Sequence, residues 1–529
     1  MRNCCSRQTV DAAAGCTQVD ALTGLRFLAI VFVVVHHSGL FFPFVEEAGD
    51  FYGRQATSLF FVLSGFGLWC GYGQWFADGK RVCGFYVKRV VLLYPLYAIS
   101  LLLAFAWNYF TGVHVDLDVF LSNALLLQSW IPFRSHYFAL TFAGWFLSTL
   151  MSLYIAFPFI CRYRLASFGI AIVSAFWGPE IMTSLYAHIN VVADVNNVAY
   201  INPFCRLPDF CLGILIGGMF KAGCWRTGRA VSFSGAAVLD VAAIALLAGY
   251  TKVTAFQGLG IDRTLFLIPI FALLLDLTAN DGPLRRLLSL RLFVFLGRNA
   301  FSIYLLHLPV RWFFFDYGLV PVKGTPGFAI YFVITLVVAV MVQHFVVSPL
   351  VEVLKARVVP RVERLFGRIS LRKNNGLLLA AVMTLAAIPL WWYYSRVNAI
   401  EGSVVSNPQV ECDSAIAGQF VEYDGGVFSI HPGEIPTVVT FDVVGNPSEI
   451  SFDANIPDKR GDVIVCVRVD GVAAHAVGMS RGCHRKLTVG TVGARNIAIE
   501  VDKNGELAYD TVVLRNFRGL ATPKWRNRR

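Results

Sequence analysis

Eleven separate apolar segments of membrane-spanning length constrain this chain more than any other feature of its sequence. A transmembrane helix needs about 20 predominantly apolar residues, because each residue adds about 1.5 Å across a hydrocarbon core of about 30 Å. The segments are 21–43, 56–73, 90–110, 139–160, 166–187, 205–220, 231–249, 262–279, 299–316, 327–350 and 376–395. Composition agrees, since 56% of the 529 residues are hydrophobic and 15% are charged, whereas soluble proteins carry about 25% charged residues. We therefore predict an α-helical polytopic membrane protein and exclude a soluble enzyme, a disordered chain and a fibrous repeat.

The positive charges predict how these helices are oriented. The net charge of +11 could indicate nucleic acid, but excess Lys and Arg in a membrane protein usually lie in cytoplasmic loops. With the N-terminus inside, the cytoplasmic loops hold twenty Lys and Arg residues and the external loops hold five. We therefore predict a multi-pass membrane protein with a cytoplasmic N-terminus, an extracytoplasmic C-terminal region and no nucleic-acid partner.

The region 400–525 has a different character from the helical part. Short alternating segments are separated by turn signals such as Asp424-Gly425-Gly426 and Lys503-Asn504-Gly505. The predicted strands are Thr437–Val444, Glu449–Ala454, Asp462–Asp470, Lys486–Val489, Asn496–Val501 and Thr511–Arg515. This spacing predicts an all-β sandwich domain outside the membrane.

The chain thus divides into five predicted regions. These are a cytoplasmic N-terminal tail (1–20), a ten-helix transmembrane domain (21–350), a basic cytoplasmic linker (351–375), an eleventh transmembrane helix (376–395) and the β-sandwich domain (400–525). The tail lacks the apolar core of a cleavable signal peptide. The twelve cysteines include no CxxC pair, and we expect no metal site.

The first helix holds the clearest candidates for chemistry. Charged and titratable groups are costly inside a bilayer, so each is a candidate site residue. Arg26 and His37 are eleven positions apart, which places both on one helix face about 16 Å apart along the axis. His36 points about 100° away. A purely structural role would explain the same spacing. In that case Arg26 would extend to the lipid headgroups and His37 would be hydrogen-bonded to a neighbouring helix.

Six sequence motifs in the same order resemble the bacterial acyltransferase family three, the integral-membrane O-acyltransferases of envelope glycans, which include O-antigen acetylases. The first is Arg26 followed by His37. The others are Ser58-Leu59-Phe60-Phe61-Val62-Leu63-Ser64-Gly65-Phe66, Phe85-Tyr86-Val87-Lys88-Arg89, Trp145-Phe146-Leu147-Ser148, Asn202-Pro203-Phe204-Cys205-Arg206-Leu207-Pro208-Asp209 and Gly297-Arg298-Asn299-Ala300-Phe301-Ser302-Ile303-Tyr304-Leu305-Leu306-His307. Each motif alone is weakly specific, but the ordered set covers residues 20–350.

The chain departs from the family pattern at three points. Where the family often has a second arginine after the one matching Arg89, this chain has Leu92. Ser348-Pro349 stands where the family has an acidic residue before the proline. The Gly-Asp-Ser motif of relatives with a hydrolase-like C-terminal domain is absent from this sequence.

The resemblance implies a location in the bacterial plasma (inner) membrane. It also implies acyl-CoA, most simply acetyl-CoA, as donor substrate, with no permanently bound cofactor. A polyanionic donor needs cations at the inner mouth of the bundle, and Arg26, Lys88 and Arg89 match that position. The positive-inside rule alone would also place Lys88 and Arg89 there. His37 is the candidate general base for the acceptor hydroxyl, or alternatively a nucleophile that carries the acyl group.

Four further residues are candidates for binding substrate. His307 lies about nine residues into its predicted helix and could orient the first-helix histidine, line the acceptor path or serve structure only. Arg311 lies one turn further along and could contact an acceptor phosphate or sugar. Trp145 and Tyr304 could stack on a sugar or on adenine, although buried aromatic residues usually serve packing.

Together these features predict a membrane O-acyltransferase that acts on a polysaccharide or a polyprenyl-linked glycan. The external β domain would then bind or orient the acceptor. A transporter or flippase for a lipid-linked glycan would use the same intramembrane charges without covalent change. In a third interpretation the helices are a scaffold and the β domain is a binding module.

Overall fold

The computed structural model describes a helical unit and a β unit, each treated by itself. Before residue 400 the described residues are 19–38, 45–78, 82–111, 115, 117–132, 134–187, 195–224, 233–250, 265–316 and 324–366. After residue 400 they are 405–411, 421–424, 427–430, 437–443, 447–455, 463–470, 472–479, 484–490, 496–503 and 512–521. The predicted eleventh helix, 376–395, lies outside the described residues.

A helix occupies each of the first ten predicted apolar segments. In chain order the described helices are α1 (Asp20–His36), α2 (Val45–Leu68), α3 (Cys83–Thr111), α4 (Leu117–Ala124), α5 (Arg134–Tyr137), α6 (Gly144–Arg162), α7 (Arg164–Ala187), α8 (Val195–Ile201), α9 (Leu207–Ala222), α10 (Phe233–Tyr250), α11 (Leu267–Ala279), α12 (Pro283–Leu288), α13 (Arg291–Arg298), α14 (Ala300–Arg311), α15 (Gly324–Val342) and α16 (Ser348–Phe366). A π-helical turn at Trp69–Gly73 and a short helical turn at Gln74–Ala77 extend α2. A second π-helical turn at Trp312–Asp316 extends α14, and a third at Gln343–Val347 joins α15 to α16.

Several of these helices make the chain a multi-pass membrane protein. By length and hydropathy, the candidate spans among the described residues are Ala56–Ala77, Cys83–Thr111, Gly144–Arg162, Arg164–Tyr186 and Gly324–Leu365. A sixth is obtained if α13 and the extended α14 are taken together across a bend of 65°. Other predicted spans are shorter helices in the structure, such as α1 with 17 residues and α11 with 13. The count of eleven spans stays a prediction.

One helix is longer than the sequence predicts. The predicted tenth span ends at 350, but the helical run continues through α16 to Phe366, into the region predicted as a linker. Val351 and Val359 are buried in the hydrophobic core. Their burial gives this part of the chain an apolar face that stabilises it as a helix.

The N-terminal half of α1 packs very closely on α12 and α13. A Cβ atom added to Gly24 would lie 2.0 Å from the carbonyl oxygen of Leu288, and one added to Gly297 would lie 1.9 Å from that of Thr23. Only glycine permits backbones to approach so closely. These two contacts fix the position of α1, which carries Arg26 and leads to His37.

Ten strands form two antiparallel sheets in the β unit. They are β1 (Val405–Glu411), β2 (Val421–Asp424), β3 (Val427–Ile430), β4 (Thr437–Val443), β5 (Pro447–Asn455), β6 (Val463–Val469), β7 (Val472–Met479), β8 (His484–Gly490), β9 (Asn496–Lys503) and β10 (Val512–Ala521). One sheet has the order β1-β4-β9-β6-β7 and the other β2-β3-β10-β5-β8. All six predicted strands overlap observed strands, while β1, β2, β3 and β7 are additional.

Both sheets bury one of their faces. In the first sheet the buried side chains are Val465, Val467, Ile497 and Ile499. In the second sheet Leu487 and Val489 are buried, whereas Lys486 before them and Thr488 between them are exposed. This alternation is what a sandwich requires of each layer. The sandwich packing itself stays a prediction.

Candidate active site

The centre of the site is a pair of histidines from opposite ends of the helical domain sequence. His37 caps the C-terminus of α1, and His307 lies in the middle of α14. His37 Nδ1 lies 2.9 Å from His307 Nε2, and the planes of the two rings differ by 23° with their centroids 5.0 Å apart. The structure thus brings together two residues that the sequence predicts separately.

The surroundings of His307 determine which nitrogen of each ring carries hydrogen. His307 is fully buried, and its Nδ1 lies 2.6 Å from the carbonyl oxygen of Tyr304. Because a carbonyl oxygen only accepts hydrogen bonds, we assign the hydrogen of the neutral His307 ring to Nδ1, which leaves Nε2 as an acceptor. His37 must then donate through Nδ1, and its own Nε2 keeps a free lone pair. The pair therefore presents His37 Nε2 as a base.

The backbone near both histidines is held by side chains of the same bundle. Arg311 Nη1 donates to the carbonyl oxygen of His37 over 2.7 Å, and Arg311 Nε lies 3.5 Å from a carboxylate oxygen of Asp316. The hydroxyl group of Tyr331, on α15, donates to the carbonyl oxygen of His307 over 3.1 Å. A cation at the C-terminus of α1 is also favourable to the helix dipole. Arg311 therefore positions His37, and its contact with the acceptor stays a prediction.

Arg26 lies on the same helix as His37 but far from it. The eleven-residue spacing along α1 corresponds to about 16 Å. The Arg26 side chain is half-buried against Gly67 of α2, with Nη2 3.9 Å from the position that a glycine-borne Cβ would take. Tyr154 of α6 is close enough to interact electrostatically with it. The structure therefore does not place Arg26 beside the histidines.

The guanidinium group of Arg89, near the start of α3, is surrounded by three aromatic rings. Its guanidinium carbon lies 5.2 Å from the ring centroid of Tyr72, 5.3 Å from that of Phe85 and 5.7 Å from that of Tyr154. Cation–π contacts of this kind hold a guanidinium without neutralising it. Its buried Nε has no hydrogen-bond partner among the described residues. Tyr154 also interacts electrostatically with Arg26, and Lys88, the neighbour of Arg89 in the chain, is half-buried.

Trp145 and Tyr304 are part of the packed core next to the histidines. Trp145 is 3% exposed, and its ring centroid lies 4.5 Å from that of Tyr200. The Tyr304 hydroxyl donates to the carbonyl oxygen of Ala143 over 2.9 Å, and its ring packs against Phe146. These contacts hold α6 against α14. Stacking of either ring on substrate stays a prediction.

The sequence reasoning missed a buried ion pair near this core. Arg206 and Asp209 are 1% and 0% exposed, and their side chains lie 3.4 Å apart. Arg206 Nη1 also donates to the hydroxyl of Ser58 in α2 over 2.8 Å, and its guanidinium lies over the ring of Tyr200. The signal was present, because opposite charges three positions apart beside an apolar segment indicate a buried pair.

Comparison with known proteins gives the family to which this chain belongs. Residues 19–344 match the model of acyltransferase family three, described as an acyltransferase domain, over more than half of the chain. Acyltransferase MdmB of Streptomyces mycarofaciens is 27% identical over 340 residues, which are 59% of this chain and 83% of that protein. Protein 2 in picA locus of Rhizobium radiobacter is 39% identical over 101 residues, which are 18% of this chain and 51% of that protein. The chain thus spans about half the length of the second relative. The family match confirms the resemblance drawn from the six motifs.

Proposed function

The chain belongs to acyltransferase family three, and from this membership we propose that it transfers an acyl group, most simply acetyl, from acyl-CoA to a hydroxyl group of a cell-envelope glycan. The observation that carries the proposal is the hydrogen bond between His37 and His307. It supplies an oriented imidazole base inside an apolar bundle, as transfer to an alcohol requires.

In the proposed reaction, His37 Nε2 removes the proton of the acceptor hydroxyl while the oxygen attacks the thioester carbonyl. The carbon–sulfur bond breaks, and the departing thiolate takes the proton from His37, so that the products are an ester and free CoA. During the step, His307 Nε2 accepts the hydrogen bond of the charged His37 ring and stabilises it. This is the orienting role that a third group has in Ser-His-Asp enzymes.

The same geometry supports a second mechanism with a covalent intermediate. The lone pair of His37 Nε2 would attack the thioester, CoA would leave, and the acyl-imidazole would then pass its acyl group to the acceptor. Rapid acid quenching under turnover conditions separates the two mechanisms. An acyl-histidine at position 37 would support the carrier role, whereas direct transfer leaves the protein unlabelled.

Arg26 and Arg89 are the proposed contacts for the phosphates of acyl-CoA, with Lys88 adding charge nearby. Their common interaction with Tyr154 supports this role, because guanidinium groups are suited to bidentate phosphate contacts. The axial distance of about 16 Å between Arg26 and His37 suits a donor whose thioester lies at the end of a long pantetheine arm.

The proposed orientation follows from the loop charges. Twenty basic residues on one side and five on the other favour a cytoplasmic N-terminus in the plasma membrane. The cationic end then faces the cytoplasmic donor, and the β unit lies outside, where it would bind or orient a polysaccharide or polyprenyl-linked glycan.

The deciding experiment supplies membranes with isotope-labelled acetyl-CoA and measures alkali-labile label in the glycan fraction at matched protein levels. We expect label with the wild type and a loss of about 100-fold or more with His37→Ala. His344→Ala is the matched control, since His344 is an exposed histidine in the turn after α15, and should remain active. Full activity of His37→Ala would falsify the mechanism. Glycan movement across the membrane without label would favour the transporter.

A further inference from the structure

We propose that α12, α13 and the start of α1 form a binding site for the phosphate of an anionic phospholipid. The site is a surface pocket lined by Asp20, Ser289, Arg291, Val294, Phe295 and Arg298. The pocket lining includes none of His37, His307, Arg26 and Arg89, and none of its residues has a role in the proposed transfer reaction.

The orientation of α13 places this pocket at a membrane surface. The axis of α13 is bent by 65° from that of α14, which follows it directly. Because α14 carries His307 into the apolar bundle, a helix at this angle lies much closer to the membrane plane. The seven residues from Ala300 to His307 correspond to about 10 Å of helix. α13 therefore has the position of an interfacial helix that leads into a core helix.

Two arginines face the pocket from one side of α13. Arg291, Val294, Phe295 and Arg298 follow the i, i+3, i+4, i+7 spacing of a single helix face. Both arginines are exposed, and neither has a hydrogen bond or ion pair to any of the residues that the structure describes. Two guanidinium groups with an apolar centre between them match a phosphate with its attached acyl chains.

The neighbouring surface is suited to the hydrocarbon part of a lipid. Leu290, Leu292 and Phe295 are 52%, 64% and 50% exposed, and Leu287 of α12 is 47% exposed. Such exposure of large apolar side chains next to arginines is typical of helices at the interface between headgroups and acyl chains. The apolar side chains would enter the acyl region while the arginines remain at phosphate level.

The charge of the pocket indicates which kind of anion it takes. Arg291 and Arg298 contribute two positive charges and Asp20 one negative charge, so the pocket carries a formal charge of +1. A phosphodiester with a single negative charge balances this, whereas a polyanion such as CoA would leave an excess of negative charge near Asp20. The occupant is therefore a monoanionic phospholipid headgroup.

The test measures lipid retention and is independent of catalysis. The purified full-length chain is exchanged into phosphatidylglycerol or phosphatidylcholine, and bound lipid is quantified by native mass spectrometry. We expect preferential retention of phosphatidylglycerol and a loss of at least about tenfold in the double variant Arg291→Gln/Arg298→Gln. The control Lys355→Gln/Arg357→Gln removes the same charge from exposed positions of α16 and should retain the lipid.

A conservative variant distinguishes loss of the binding site from misfolding of the protein. Arg291→Lys/Arg298→Lys keeps the charge but loses the forked geometry, so we expect intermediate retention. Equal retention of phosphatidylglycerol in the wild type and the Gln variant would overturn the site. Equal loss of lipid in the α16 control would also overturn it, because any exposed positive charge would then attract the lipid. Displacement of the lipid by an equal concentration of inorganic phosphate would show a free-phosphate site and overturn the lipid assignment. Each of these outcomes leaves the acyl-transfer assay unaffected.

Discussion

His37 Nδ1 and His307 Nε2 lie 2.9 Å apart, although 270 positions separate the two residues in the chain. The contact joins the end of α1 to the middle of α14. The carbonyl oxygen of Tyr304 keeps the hydrogen of the neutral His307 ring on Nδ1. His37 must therefore donate to His307 through its own Nδ1, which leaves His37 Nε2 without a hydrogen.

Replacement of His307 should weaken catalysis without removing the base. His307→Phe keeps a ring but deletes the acceptor for His37 Nδ1, so we expect kcat to fall about 10- to 100-fold. His307→Gln offers an amide oxygen in its place and should recover part of that loss. Initial rates and their pH profiles for the three proteins provide the measurement. Combined with His37→Ala, the His307→Phe change should cost little more, because the two residues act together; full additivity would contradict the pair.

Loss of Arg89 should affect donor binding more than chemistry. Arg89→Gln removes a charged contact to the donor phosphates, so KM for acetyl-CoA should rise about tenfold while kcat stays within about twofold. Arg26→Gln should behave similarly, since Tyr154 interacts with both arginines. Arg361→Gln, an exposed position on α16, is the control for charge alone. An equal rise in KM for that control would argue against a local phosphate site.

The buried ion pair should be required for stability. Arg206→Met leaves the carboxylate of Asp209 buried and uncompensated, which costs about 3–5 kcal/mol in comparable sites. The double variant Arg206→Met/Asp209→Leu removes both charges and should be more stable than the single variant. The melting temperatures of the wild type, the single variant and the double variant are compared in the same detergent, with light scattering as the signal for unfolding. A single variant as stable as the wild type would show that the pair contributes no net stability.

The close contact between α1 and α13 gives a stability prediction at a glycine. Gly297→Ala would place a methyl group 1.9 Å from the carbonyl oxygen of Thr23, so the helices must separate at a cost of about 1–3 kcal/mol. Gly169→Ala in α7 is the matched control, because an added Cβ there has no described atom within 4 Å. The control should be neutral or stabilising by up to about 1 kcal/mol. Equal melting temperatures for both variants would exclude tight packing at Gly297.

Much of the architecture is predictable from local sequence patterns. Long apolar segments predict helices because the bilayer core leaves backbone polar groups no partner but one another. Alternating residues such as those of β6 and β9 predict strands because one face of each sheet is buried. β7 was missed because Val472-Ala473-Ala474-His475-Ala476 does not alternate clearly between apolar and polar residues. It forms by pairing with β6, which is a non-local determinant.

The sequence by itself determined the class of protein and one half of the candidate site. The spacing of Arg26 and His37 is a property of a single helix, and the order of the motifs identifies the family. Only the tertiary structure decided that His307 accepts a hydrogen bond from His37, that Arg311 holds the end of α1, and that Tyr154 interacts with both Arg89 and Arg26. The physical reason is that helix periodicity acts over a few residues, whereas contacts between helices depend on packing across hundreds of positions, at points such as Gly24 and Gly297 where the backbones touch.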